Sequence, residues 1–203
     1  MYDGSLLLTL PVDTSVASGL NAMAHCIDAM WGPRSDPIDR TLAAEGIHAL
    51  SIGLPAVAAE PKALAGREQS LYGAYLAALA FTSAGSGIHH KICHVLGGMF
   101  KLPHAQTHAV VLPHVLAFNA PNAPDAEHRI AHAFGTETAI EGLVALGASL
   151  NAPTALKDYG MPEDGIARAV TPMLAAIPKD NPAPVTEEDI AALLRAAWEG
   201  APS

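Results

Sequence analysis

From Thr14 onward, apolar residues recur at three-to-four-residue spacing in segment after segment, and glycine or proline cuts each segment short. That period puts one stripe of side chains on one face of a helix and leaves nothing to alternate across a strand. The first such segment carries Val16, Leu20, Met23, Ile27 and Met30, with Thr14 or Ser15 as its expected cap and Gly32-Pro33 as its stop. A second is expected from Pro37 to Ala59, opened by Asp36-Pro37 and bent at Pro55, and a third from Ala63 to Thr82. After a turn from Ala84 to Gly87, a histidine-bearing helix is expected to end at Gly97-Gly98. Further helices are expected over 107–118, 125–134, 138–151, 163–177 and 186–198, the last capped by TEEDI after a PKDNPAPVT linker. Only Leu6–Leu10, stopped by Pro11, reads as an edge strand or an extended lead-in. The fold class is therefore all-α, one domain spanning residues 1–203.

Half of the residues are apolar and only 5% aromatic, a composition that suits close-packed helices. The net charge of −9 argues against a nucleic-acid partner, because phosphate contact needs clustered Lys and Arg. No run of uncharged apolar residues reaches membrane-spanning length, and no basic segment followed by an apolar one opens the chain. No membrane is expected as a partner, and the expected compartment is cytoplasmic. Cys26 and Cys93 fall inside helical patterns and imply no disulfide framework. No βαβ alternation, glycine-rich dinucleotide fingerprint or P-loop occurs in the sequence.

Six of the ten histidines lie between Gly87 and His114, in GIHHKICHVLGGMFKLPHAQTHAVVLPH. His90 and His94 are four apart and share a helix face, whereas His89 is turned about 100° away and is expected to point elsewhere. Leu102-Pro103-His104 can return another imidazole toward the helix end, and the first helix adds Asn21 and His25, again four apart. An isolated pair of this kind is as often a surface accident or a satisfied core pair. Two pairs plus a following Pro-His point instead to a site between helices. His108 and His114 are read as lying beyond the cluster, His114 as structural, and His48, His128 and His132 as structural or exposed.

The segments SGLNAMAHCIDAMW, GIHHKICHVLGGMFKLPHAQTHAVVLPHVLAFNAP and NPAPVTEEDIAALLRAAWEG resemble the maleylacetate reductases, a branch of the iron-containing alcohol dehydrogenase family. The likeness extends over nearly the whole chain but matches only the helical C-terminal half of such an enzyme. It implies an N-terminal nucleotide-binding domain that is absent from this sequence, a cleft site between the two, and a homodimer as a common state. In the metal-dependent branch, Fe²⁺ or Zn²⁺ is held at positions that match Asn21, His25, His90 and His104, with Asp where this chain has Asn21. The maleylacetate branch is similar to this sequence in having Asn there and is thought to work without metal.

What the resemblance implies is NADH- or NADPH-dependent reduction of maleylacetate to 3-oxoadipate in aromatic-compound degradation, on a dicarboxylate substrate. His94 would be the proton donor; His25, His90 and His104 would polarise the ketone oxygen, Asn21 would be a neutral donor, and Lys91 would attract a carboxylate. A metal-dependent alcohol dehydrogenase half, with His25, His90 and His104 on the ion, is the alternative. A non-catalytic helical fragment of a truncated gene is a third.

Overall fold

The computed structural model describes residues 3–200. Among them there is no strand, and nine α-helices carry the architecture: α1 Val12–Met30, α2 Pro37–Ala59, α3 Leu64–Ala84, α4 Ile88–Phe100, α5 His104–Asn119, α6 Pro124–Phe134, α7 Ala139–Ser149, α8 Gly165–Ala176 and α9 Glu187–Glu199. Capping chemistry sets several starts. Asp36 and Asp39 form a reciprocal capping box on α2, and Thr186 and Asp189 form another on α9.

Most helix ends fall within two residues of the sequence expectation, and four features depart from it in kind or further. The Leu6–Leu10 run makes no strand; Gly4–Leu7 is a turn of 3-10 helix lying on α3, with Gly4 packed against Leu64 and Glu68. Helix α1 starts at Val12, ahead of the expected Thr14 or Ser15 cap, and Ser15 Oγ donates to the Pro11 carbonyl from inside the first turn. Helix α4 does not stop at Gly97-Gly98. Both glycines stay helical, and the chain turns at Lys101, whose φ is 55°. Helix α5 starts at His104, on a Pro103 cap, which moves His104 from a loop into a first helical turn.

Two apolar cores share one helix. The first joins α1, α2, α3, α6 and α7; the second joins α4, α8 and α9. Helix α5 serves both, giving Ala109, Leu112 and Leu116 to one and Val110, Val111 and Val115 to the other. A helix buried on two sides must be apolar around most of its circumference. Helix α2 is long and apolar enough to cross a membrane by length and composition. It nevertheless packs along α1 and α3 and buries Ala43, Ile47, Leu50, Leu54 and Val57, as a core helix does. Arg67, 2% exposed, fastens the chain's opening to this layer by donating to the carbonyls of Leu10 and Pro61 and to Ser15 Oγ.

Helices α2 and α3 approach closely because glycines face the contact. A Cβ on Gly53 would sit 2.6 Å from the backbone nitrogen of Ser70, whereas a Cβ on Gly98 would meet nothing within 4 Å. Gly53→Ala should therefore destabilise the chain by about 1–3 kcal/mol. Gly98→Ala, in open helical space, should stabilise it by roughly 0.5–1 kcal/mol. Urea denaturation of both variants checks the pair, and equal effects would contradict the packing account.

Candidate active site

The histidines gather where α1, α4 and α5 meet, and a buried acid organises them. Asp28, on α1 and 0% exposed, reaches the start of α4. Its Oδ2 accepts from the backbone N–H of Gly87 at 3.0 Å and of His90 at 3.2 Å. An isolated helix would leave those N–H groups unpaired, so a carboxylate from another helix does the work of a cap. Gly87 has to be small here, since a Cβ would stand 2.6 Å from Asp28 Oδ1. The same Oδ2 accepts from His90 Nδ1 at 2.7 Å, and Trp31 Nε1 donates to Oδ1 at 3.3 Å.

An oxygen that takes two backbone N–H groups is an acceptor, so His90 Nδ1 carries the N–H that it accepts from, leaving Nε2 on the other side of the ring. That Nε2 is buried and has no hydrogen-bond partner, as is also true of Asn21 Oδ1, His89 Nδ1 and His108 Nε2.

Around His90 the rings are graded from interior to solvent. His25 lies 4.7 Å away between ring centroids, His108 4.8 Å, His89 5.2 Å and His94 6.1 Å; His104 joins through His108 at 4.3 Å. Phe81, from the end of α3, stacks on His25 at 4.4 Å and leans on His90 at 4.4 Å. His89, His90 and His108 are buried, Asn21, His25 and Lys91 are half-buried, and His94 and His104 are exposed.

Two sequence expectations are corrected here. His89 points into the cluster, with Nε2 3.0 Å from His108 Nδ1 and 3.7 Å from Cys93 Sγ. His108 does not lie beyond the cluster but inside it: α5 begins at His104, so His104 and His108 are four apart on one face. His48 sits outside, its Nδ1 3.3 Å from the Ala133 carbonyl, and His128 and His132 are exposed on α6. His114, buried farther along α5, lines a separate apolar cavity of about 550 Å³ with Leu112, Leu143 and Val144. Cys26 and Cys93 are both free and buried, and burial raises both thiols above their usual range.

Burial is also the largest effect on the imidazoles. It drives His25 down to about 4, with His90 and His104 adding to the shift and Asp28 opposing it. It drives His108 to about 2 and His89 well below the usual histidine value. His94 is lowered by burial first, then by His90, His104 and Lys91.

These depressed values make the fold acid-labile. An unfolded chain takes up these protons near 6.5, whereas the folded chain refuses them until about 4 or below. Their stabilising contribution is therefore complete above the unfolded value and is lost as the pH falls from 6.5 toward 4. Each such group steepens the loss by up to about 1.4 kcal/mol per pH unit. In chelator-treated buffer the urea midpoint should be flat above about pH 7, fall steeply below 6.5, and fall less steeply in His25→Asn. An unchanged midpoint down to pH 4 would contradict the burial account.

Residues 15–198 match the model of the "Fe-containing alcohol dehydrogenase family, C-terminal". The chain belongs to the iron-containing alcohol dehydrogenase family. It is 44% identical to the maleylacetate reductase of Sphingobium indicum over 202 residues, covering 100% of this chain and 57% of that protein. Among solved structures, the iron-containing alcohol dehydrogenase from Corynebacterium glutamicum superposes with a TM-score of 0.95 at 61% identity, covering 97% of this chain and 55% of that one. The maleylacetate reductase from Agrobacterium tumefaciens gives 0.93 at 39% identity, covering 99% and 57%. The chain thus spans somewhat more than half the length of these relatives. The shared part is the all-helical C-terminal portion of these relatives.

Proposed function

We propose that this chain is the substrate-handling half of an NAD(P)H-dependent reductase that converts maleylacetate to 3-oxoadipate. The observation that carries the reading is the charge pattern of the histidine cluster. Asp28 is the one acid whose charge acts on His25 and His94, and it is turned inward against His90, Gly87 and Trp31. The groups that solvent reaches are the half-buried His25 and Lys91 and the exposed His94 and His104, with Asn21, whose Oδ1 is buried, one turn from His25 on α1. A neutral-to-basic mouth suits a dianionic diacid, which an outward carboxylate would repel.

Bound NAD(P)H, held by a nucleotide-binding domain outside these residues, would supply hydride to the alkene carbon β to the ketone. The charge left on the ketone oxygen calls for N–H donors, which His25 and His104 can present. Lys91 attracts a carboxylate. His94 gives its proton to the carbon next to the ketone, completing addition of hydride and proton across the double bond. Without substrate, burial first and then the neighbouring His90, His104 and Lys91 hold His94 below its ordinary value. An arriving dianion acts in the opposite sense, so substrate and proton are taken up together.

The Fe²⁺ or Zn²⁺ of the metal-dependent branch fits this cluster poorly. Asn21 contributes no charge, His25 lies flat against Phe81, and neither His25 nor His104 belongs to the set of imidazoles whose ligand atoms gather most closely. No step above requires that ion.

Co-expression with the nucleotide-binding half of a maleylacetate reductase, followed by NADH oxidation, tests the reading. Maleylacetate should be preferred over short-chain aldehydes by about 10²-fold or more in kcat/KM, the scale at which a site built around polar substrate groups discriminates. The reverse preference, dependent on added Fe²⁺ or Zn²⁺, would establish the metal-dependent dehydrogenase. No turnover by an assembled pair would leave a non-catalytic helical unit.

A further inference from the structure

Beside α5 lies a cavity of about 550 Å³ that the proposed reaction does not use. Small-molecule sites run from about 300 to 1,000 Å³. Leu20 of α1, Leu112 of α5 and Leu143 and Val144 of α7 give it apolar walls. None of the described residues lining it is Asp, Glu, Lys or Arg. His114, also on the wall, is held below its ordinary value by burial and so stays uncharged at neutral pH. This differs from the surroundings of His94 and Lys91. A dianion entering here would shed its water with no cation to meet it.

Two features separate the cavity from a packing gap. Helix α7 ends in a turn in which the Ala152 N–H donates to the Gly147 carbonyl at 3.0 Å and Asn151 takes a left-handed φ of 48°. That turn places Ala152 and Pro153 on the wall, so backbone hydrogen bonds fix the space before any ligand arrives. The second feature is Pro113, in the interior of α5. Proline has no N–H, so the Ala109 carbonyl four residues earlier loses its helical donor. Ala109 and Pro113 both line the cavity. A carbonyl left in an apolar wall calls for a donor from whatever occupies the space.

We infer that this cavity binds a neutral, ring-sized apolar molecule carrying one N–H or O–H, whose donor meets the Ala109 carbonyl. The site adjoins the histidine cluster through the chain neighbours Leu20–Asn21 and His108–Ala109, yet shares no residue with it.

Binding is read without substrate or nucleotide, so its outcome is separate from that of the reductase reading. The full chain is titrated with indole and with benzofuran, the same-shaped ring in which oxygen replaces the N–H. Methyl NMR of Leu112, Leu143 and Val144 follows both. Indole should saturate one site and bind about tenfold more tightly than benzofuran, the scale of one buried carbonyl left unpaired. The rings of His25, His94 and His104 should not follow that curve. In Gly147→Leu the new Cβ meets, outside its own helix, only Ala152 Cβ at 3.8 Å, so the side chain can enter the cavity without a clash. Indole affinity should then fall by about tenfold or more, because the ligand loses its wall contacts. Should that variant fail to fold, nuclear Overhauser contacts from indole to the Leu143 and Val144 methyls of the unaltered chain decide. No saturation at those methyls, equal affinity for the two rings, or binding unaltered in a folded Gly147→Leu would overturn the assignment.

Discussion

Asp28→Ala should be the most damaging single substitution in the molecule, costing about 3–5 kcal/mol of stability, the usual result of breaking a buried pair from one side. The substitution strips two backbone N–H groups at the start of α4, the His90 ring and the Trp31 indole of their common acceptor in one step. None of the four gains water in exchange if the pocket stays closed, since Asp28 and His90 are 0% and 2% exposed. For a chain of this size each kcal/mol lowers Tm by about 2–4 °C, so thermal unfolding should drop by roughly 10 °C or more. Asp28→Asn keeps the shape and should recover part of the loss, though its amide NH₂ must then face donors. A Tm within about 2 °C of the parent for Asp28→Ala would mean that the carboxylate does not organise the site.

The second large effect is expected in catalysis. His94→Ala in the assembled reductase should lower kcat by about 10²-fold or more with little change in KM, the signature of a lost proton donor. Its stability should barely change, because the His94 side chain is exposed on α4 and makes no buried hydrogen bond. His132→Ala, also exposed but on α6, serves as the control and should leave turnover unaltered. A His94→Ala enzyme within a few-fold of the parent would transfer the proton-donor role elsewhere.

The helical fold was legible because the apolar period and the capping boxes act locally. Asp36 with Asp39 and Thr186 with Asp189 fix helix starts without help from the rest of the chain. Gly97-Gly98 misleads for the opposite reason. Gly is only weakly unfavourable within a helix, and contacts from elsewhere decide whether the helix continues. The true stop is the left-handed Lys101 just ahead of Leu102-Pro103.

The misplacement of His108 follows from that same segment. Starting the next helix at Thr107 leaves His104 in a loop, whereas a start on Pro103 makes His104 and His108 a face-sharing pair like His90 and His94. Asp28 does not stand out in the sequence because an acid in an amphipathic helix ordinarily faces water. Its spacing does carry a signal: Asp28 is three residues from His25 and seven from Asn21, on the same helix face. Phe81 carried no such mark, since only tertiary packing brings the end of α3 against His25 and His90.

The most direct test of a shared diacid pocket is histidine ring NMR on the full chain during titration with 3-oxoadipate, the product dianion. The resonances of His25, His94 and His104 should move together along one saturation curve while those of His48, His128 and His132 stay still. Shifts confined to the outlying histidines, or no saturation at any ring, would contradict convergence of α1, α4 and α5 on a single anion-accepting site.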